Sequence, residues 1–246
     1  MQEILSIVSY ILIFVGILLF IQTIRMAYWF FMSIQLSLNS RPFSIQRVKA
    51  KQKILVIGDS TAAGTGAEDP SLSVAGRLAK RFPNATIVNR GKNGATTKHV
   101  LAELRTVTEK FDLMLIQTGA NDILRFTNVA TLKQDIAELL EKAKTLSKSV
   151  VLLTAGNVGL SPSIPRILVW LYTSRTKQVR TIFMTVAKEK KVLYVDLFRE
   201  KEDDLFLTNT KLYYAKDMLH PSSEGYRVWF EEIIKTLKKN NVVLKK

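Results

Sequence analysis

Apolar and polar residues follow two different rules along this chain. From Ile4 to Ile24 the residues are Ile, Leu, Val and Phe with few interruptions, and none is charged. About 20 such residues suffice to cross a bilayer as a helix, so this stretch predicts a membrane span. Tyr28-Trp29-Phe30-Phe31-Met32 follows, and aromatic rings of this kind gather at headgroup depth. Residues 39–52 are polar and basic, contain Pro42, and read as a linker. Beyond them the rule changes. Short apolar runs at 53–57, 86–89, 112–117, 149–154 and 192–196 alternate with helical patterns near 71–82, 96–109, 130–147, 175–190 and 223–238. Strands alternating with helices predict an α/β fold with a parallel sheet of about five strands, covered on both faces. The expected organisation is an anchor and interfacial helix over 1–38, a linker over 39–52, and a catalytic domain over 53–246.

The first segment does not read as a cleavable leader. No Lys or Arg precedes it, its apolar core is long, and Arg25-Met26-Ala27 puts an arginine where a small residue is needed. A retained single-pass anchor, as in a bacterial inner membrane, is expected. Arg25, Arg41, Arg47, Lys49, Lys51 and Lys53 all follow the span. Positive residues favour the cytoplasmic side, so the domain is expected there. The whole chain carries 36 Lys+Arg against 21 Asp+Glu, a net charge of +15. Beside an anchor, the fitting partner is an anionic membrane surface, not nucleic acid. The chain has no cysteine, which excludes disulfides, thiolate metal sites and a cysteine nucleophile.

Only two histidines are present, His99 and His220. His99 lies inside a helical pattern and reads as an ordinary surface or half-buried residue. His220 closes Asp217-Met218-Leu219-His220-Pro221, where a carboxylate three residues away can face the imidazole. Far upstream, Gly58-Asp59-Ser60 ends the apolar run Ile54-Leu55-Val56-Ile57. Serine is a poor nucleophile until a base takes its proton, and an imidazole held by a carboxylate is such a base. Ser60, His220 and Asp217 therefore form a candidate catalytic set. Ligands lie outside the carboxyl ends of strands in open parallel sheets. Ser60 follows the first predicted strand, Gly94 the second and Asn121 the third, so all three belong on one rim. The glycine-rich Gly64-Thr65-Gly66 lacks the Lys-Ser/Thr of a phosphate loop. Two distant histidines and no cysteine make no metal site of the usual kind.

The order of these motifs resembles the SGNH (GDSL-type) hydrolase family over roughly residues 53–237. Gly58-Asp59-Ser60 resembles its nucleophile block. Asn89-Arg90-Gly91-Lys92-Asn93-Gly94 resembles the block that supplies a glycine N–H, and Gly119-Ala120-Asn121-Asp122 the block that supplies an asparagine amide. Asp217 to His220 resembles the last block, with Met218 where the family often has glycine. The resemblance implies a flavodoxin-like three-layer sandwich and no cofactor. It also implies an oxyanion hole from the Ser60 N–H, the Gly94 N–H and the Asn121 side chain. The expected activity is a membrane-anchored serine ester hydrolase, a lipase/esterase or lysophospholipase-like enzyme acting on a lipid or acylated ester. The alternative is an acyltransferase or carbohydrate deacetylase on the same residues. One segment breaks the alternation. Residues 160–172 are apolar and aromatic and open with Pro162 and Pro165. Following the fourth strand, they are expected on the same rim, with Ile167, Leu168 and Trp170 as an acyl-chain wall or lid. Oligomeric state is left open.

Overall fold

A computed structural model describes residues 2–242 and 244. In chain order the strands are β1 (Gln52–Gly58), β2 (Ala85–Gly91), β3 (Phe111–Gln117), β4 (Ser147–Leu153) and β5 (Leu193–Val195). The α-helices are α1 (Gln2–Asn39), α2 (Ser60–Ala63), α3 (Val74–Arg81), α4 (Thr97–Arg105), α5 (Ala120–Leu124), α6 (Val129–Leu146), α7 (Val169–Glu189), α8 (Leu205–Thr208), α9 (Thr210–Tyr213) and α10 (Ser223–Lys239).

All five strands are parallel, in the order β2-β1-β3-β4-β5. This is the flavodoxin-like order, in which the chain reverses its winding beside the first strand. Central strands buried on both faces must be apolar throughout, and Ile54, Leu55, Val56 and Ile57 are all fully buried. Alternate residues then serve opposite layers. Leu55 and Ile57 pack with α4, α6 and α7 residues such as Leu104, Ile136 and Phe183. Ile54 and Val56 pack with α3 and α10 residues such as Leu78, Trp229 and Ile233. Helix starts carry the expected caps. Ser73 Oγ accepts from the Gly76 N–H, and Ser222 Oγ from the Glu224 and Gly225 N–H groups.

Residues 39–52 are irregular but not loose. Ile45 pairs antiparallel with Ile87, each N–H reaching the other's carbonyl at 2.9 Å. The Arg47 N–H donates to Thr86 Oγ1 and the Asn89 N–H to Ser44 Oγ. The stretch thus covers the outer edge of β2, which would otherwise present unpaired backbone groups.

α1 runs unbroken well past Ile24, and none of its residues is buried. It is the one helix among the described residues that is long and apolar enough to cross a membrane. Arg25 marks the end of the uncharged run, its guanidinium 4.3 Å from the Trp29 ring centre.

Candidate active site

The nucleophile loop grows out of β1. The Asp59 carboxylate caps α2, with Oδ1 accepting from the Thr61 N–H at 2.9 Å and the Thr61 hydroxyl at 2.7 Å. That cap turns the chain sharply and leaves Ser60 at the first helical position, where its N–H has no partner within the helix. Ser60 Oγ lies 2.8 Å from His220 Nε2. His220 Nδ1 lies 2.5 Å from Asp217 Oδ2. The other Asp217 oxygen accepts from the Leu219 and His220 N–H groups at 3.1 and 3.0 Å. All three side chains are buried. The structure therefore brings the three candidate residues into one hydrogen-bonded chain.

The two aspartates beside the serine sit in opposite electrostatic states. Burial pushes the Asp217 carboxyl up, but hydrogen bonds from His220 and two backbone N–H groups outweigh it and hold the pKa below the ordinary carboxylate value. Asp59 is also buried, and burial wins there. Its pKa is raised to about 6, despite the two Thr61 hydrogen bonds and a favourable pull from His220. Its Oδ2 has no hydrogen-bond partner among the described residues. The pair shows why the carboxylate facing the imidazole is the one equipped to stay ionised.

Met218 takes a left-handed backbone, φ 56°. This turns its carbonyl outward, where it accepts from Ser161 Oγ at 2.5 Å and the Ser163 N–H at 3.2 Å. A glycine would adopt this conformation freely, so the methionine stores strain of about 1–2 kcal/mol. The Gly64-Thr65-Gly66 loop braces the same turn. A side chain at Gly66 (φ 99°) would meet the Pro221 carbonyl at 2.4 Å. The Thr65 carbonyl accepts from the buried Tyr226 hydroxyl, and Thr65 Oγ1 donates to Asn93 Oδ1 at 2.6 Å.

Gly94 and Asn121 line the same cleft as Ser60 and His220. Gly94 is left-handed, φ 72°, and its N–H makes no hydrogen bond within the described residues. Asn121 Nδ2 donates to the Ala95 carbonyl at 3.1 Å. An amide nitrogen has two hydrogens, so one remains for the cleft. His99 stands apart, itself exposed in the first turn of α4, where its ring Nδ1 completes the Thr96 cap.

The cleft encloses about 500 Å³, within the usual range for small-molecule sites. Ile167, Leu168 and Trp170 do not line it. Ile167 and Trp170 are 78% and 69% exposed, and Leu168 is half-buried. The physical reason is that the segment turns away early. Ser161 and Ser163 are spent on the Met218 carbonyl, a short 3-10 turn follows, and α7 starts at Val169, ahead of the expected 175. The apolar walls come from elsewhere. Leu205 and Phe206 of α8 and Val228 and Trp229 of α10 form one side, and Phe30, Ser33 and Ser37 of α1 contribute to another. Arg125 also lines the cleft, exposed and without an ion pair among the described residues. These α1 residues are not among the site candidates that the sequence singles out, though they leave a signal in it: positions 30, 33 and 37 share a helical face, and serines interrupt an apolar helix there.

Residues 56–228 match the family model described as GDSL-like Lipase/Acylhydrolase. The chain belongs to this family. Esterase TesA of Pseudomonas aeruginosa is 31% identical over 157 residues, 61% of this chain and 73% of that protein. A GDSL-like esterase of Mycobacterium tuberculosis is 27% identical over 184 residues, 70% of this chain and 57% of that protein. The crystal structure of TesA aligns with a TM-score of 0.62 at 27% identity, covering 78% of this chain and 100% of that one. Like other GDSL hydrolases, this one carries its matched region on the five-stranded sheet. The N-terminal helix begins well before that region.

Proposed function

We propose that this GDSL hydrolase is a membrane-anchored serine esterase that cleaves carboxylic esters through an acyl-enzyme on Ser60. The observation that carries this reading is the chain Ser60 Oγ–His220 Nε2, His220 Nδ1–Asp217 Oδ2 at 2.8 and 2.5 Å. His220 takes the Ser60 proton as Oγ attacks the ester carbonyl carbon. The carbonyl oxygen becomes an oxyanion, met by the Ser60 N–H, the Gly94 N–H and the free Asn121 amide hydrogen. The intermediate collapses, the C–O bond to the alcohol breaks, and His220 returns the proton to that oxygen. Water then attacks the acyl-enzyme, with His220 again accepting the proton, and releases the acid and free Ser60. Asp217 holds the imidazole in the required tautomer and stabilises its charged form.

The family supports carboxylic ester hydrolysis, and relatives bearing the names esterase and arylesterase support it further. The anchor reading draws on α1 itself. The helix continues from the uncharged span into residues that hydrogen-bond the site, since Asn93 Nδ2 donates to the Ser37 carbonyl and Ser40 Oγ at 2.8 Å each. The basic residues after the span support a catalytic domain on the cytoplasmic face of the membrane, against anionic lipid. The exposed Ile167 and Trp170 suit contact with that surface better than contact with an acyl chain in the cleft.

The test is turnover of a p-nitrophenyl ester by Ser60→Ala and His220→Ala, with folding checked by circular dichroism. Either change should remove most of a roughly 10⁶-fold rate effect, because members of one proton-transfer unit fail together. Near-normal turnover by folded Ser60→Ala would end the nucleophile assignment.

A further inference from the structure

The serine and threonine hydroxyls of α1 fall into two sets. Within the uncharged span, Ser6, Ser9 and Thr23 each donate back to a carbonyl three or four residues earlier in the helix. Lipid offers no other partner, and the short side chains of serine and threonine can satisfy their hydroxyls on their own helix. Ser33 and Ser37 break this habit. Both line the cleft, and neither hydroxyl makes a hydrogen bond within the described residues. Phe30, one turn earlier on the same face, lines the cleft with them.

Their depth follows from the helix rise. At 1.5 Å per residue, Phe30 lies roughly 8 Å and Ser37 roughly 18 Å beyond Arg25, the first charge after the span. The headgroup layer adds about 5–8 Å to each side of the hydrocarbon core. The α1 wall of the cleft therefore starts at headgroup depth, with its apolar member nearest the lipid and its two hydroxyls farther out. Arg125 supplies an exposed cation to the same cleft.

We infer that the face Phe30–Ser33–Ser37 is a substrate-selecting wall, and that Ser33 and Ser37 donate hydrogen bonds to the polar part of a lipid ester partly lifted from the bilayer. This rests on the esterase reading of Ser60 and names the substrate class of that site. The anchor thereby does more than tether the enzyme. It presents the polar end of an amphiphile that has not fully left the membrane.

The experiment uses the full chain in anionic phosphatidylglycerol/phosphatidylcholine vesicles. Threonine and valine have nearly the same shape and differ in the hydroxyl. The Ser33→Val/Ser37→Val pair should lose about 30-fold in kcat/KM on a monoacyl glycerophospholipid, as for two lost hydrogen bonds near 1 kcal/mol each. The loss on p-nitrophenyl acetate should be at least tenfold smaller. Ser33→Thr/Ser37→Thr should restore most of the lipid activity. Leu38→Val, on a residue that is 75% exposed and outside the cleft, serves as the control and should match wild type on both substrates. Valine and threonine pairs that behave alike, or equal losses on lipid and acetate, would overturn the inference. Labelling of wild-type Ser60 by a fluorophosphonate is run alongside. Labelling with no valine-specific effect rejects the α1 wall alone, whereas absent labelling rejects the esterase reading beneath it.

Discussion

The floor and the α1 wall of the cleft are built on opposite plans. On the floor, backbone and side chain are fixed by the core. Ser60 hangs from buried β1 by the Asp59 cap, and the Asp217–His220 turn is held by Ser161, Ser163, Gly66 and its own N–H groups. On the wall, the end of α1 and the residue after it meet the domain through hydrogen bonds from Asn93 to the Ser37 carbonyl and Ser40 Oγ, and the Ser33 and Ser37 hydroxyls have no partner among the described residues. Rigid elements suit transition-state geometry, which tolerates little misplacement. A helix that reaches in from the membrane suits the choice of what arrives. The proposed enzyme thus holds chemistry and selection on separate parts of the chain.

The sharpest way to break this division is Asn121→Ala. As loss of one oxyanion donor it should lower kcat by about 10²–10³ with little change in KM, and equally for short and long acyl chains. A change in chain-length preference at unchanged kcat would move Asn121 from the floor's chemistry to substrate selection. A middle-sized effect concerns the buried charge on the floor. Asp59 has a raised folded pKa, so the folded state binds its proton more readily than the unfolded chain. Stability from this group is fully present below about pH 4 and is lost as pH rises to about 6. A rise of about two units corresponds to roughly 3 kcal/mol. Asp217 runs the other way: its contribution is present above the ordinary carboxylate value and lost only in more acidic solution. Between pH 4 and 7 the Asp59 term acts alone of the two. Asp59→Asn should therefore flatten the fall in melting temperature over that window, as scanning calorimetry in detergent would read. An unchanged slope would show that Asp59 is solvated. The smallest effect is Met218→Gly, which should relieve the left-handed strain. A gain of about 1 kcal/mol in unfolding free energy is expected, less the entropy cost of glycine in the unfolded chain, with kcat kept within twofold. A marked loss of stability would show that packing of the Met218 side chain outweighs the strain.

Much of the floor could be read from the sequence. The apolar runs from 53 to 154 locate β1 to β4, because strands buried on both faces leave an uninterrupted apolar record. The hydrogen-bonded grouping of Ser60, His220 and Asp217 was legible as well, since two histidines leave few choices and Asp217 sits three residues before one of them. The wall was harder. Phe30, Ser33 and Ser37 lie in a segment whose composition announces lipid, and composition does not say which helical face meets a cleft formed by residues far along the chain. The segment after β4 shows the converse. Its apolar residues suggested a rim wall, but polar Ser161 and Ser163 are the residues that reach the site, by holding the Met218 carbonyl. Ile167 and Trp170 are instead left on the surface. Long-range hydrogen bonds of this kind leave no periodic trace.

The most direct test of the central claim is mass spectrometry of the intact, vesicle-embedded protein after exposure to a fluorophosphonate, with peptide mapping. One adduct is expected, on Ser60, formed rapidly by wild type and at background rate by His220→Ala. An adduct on another serine, or equally fast labelling of Ser60 without the imidazole, would contradict it.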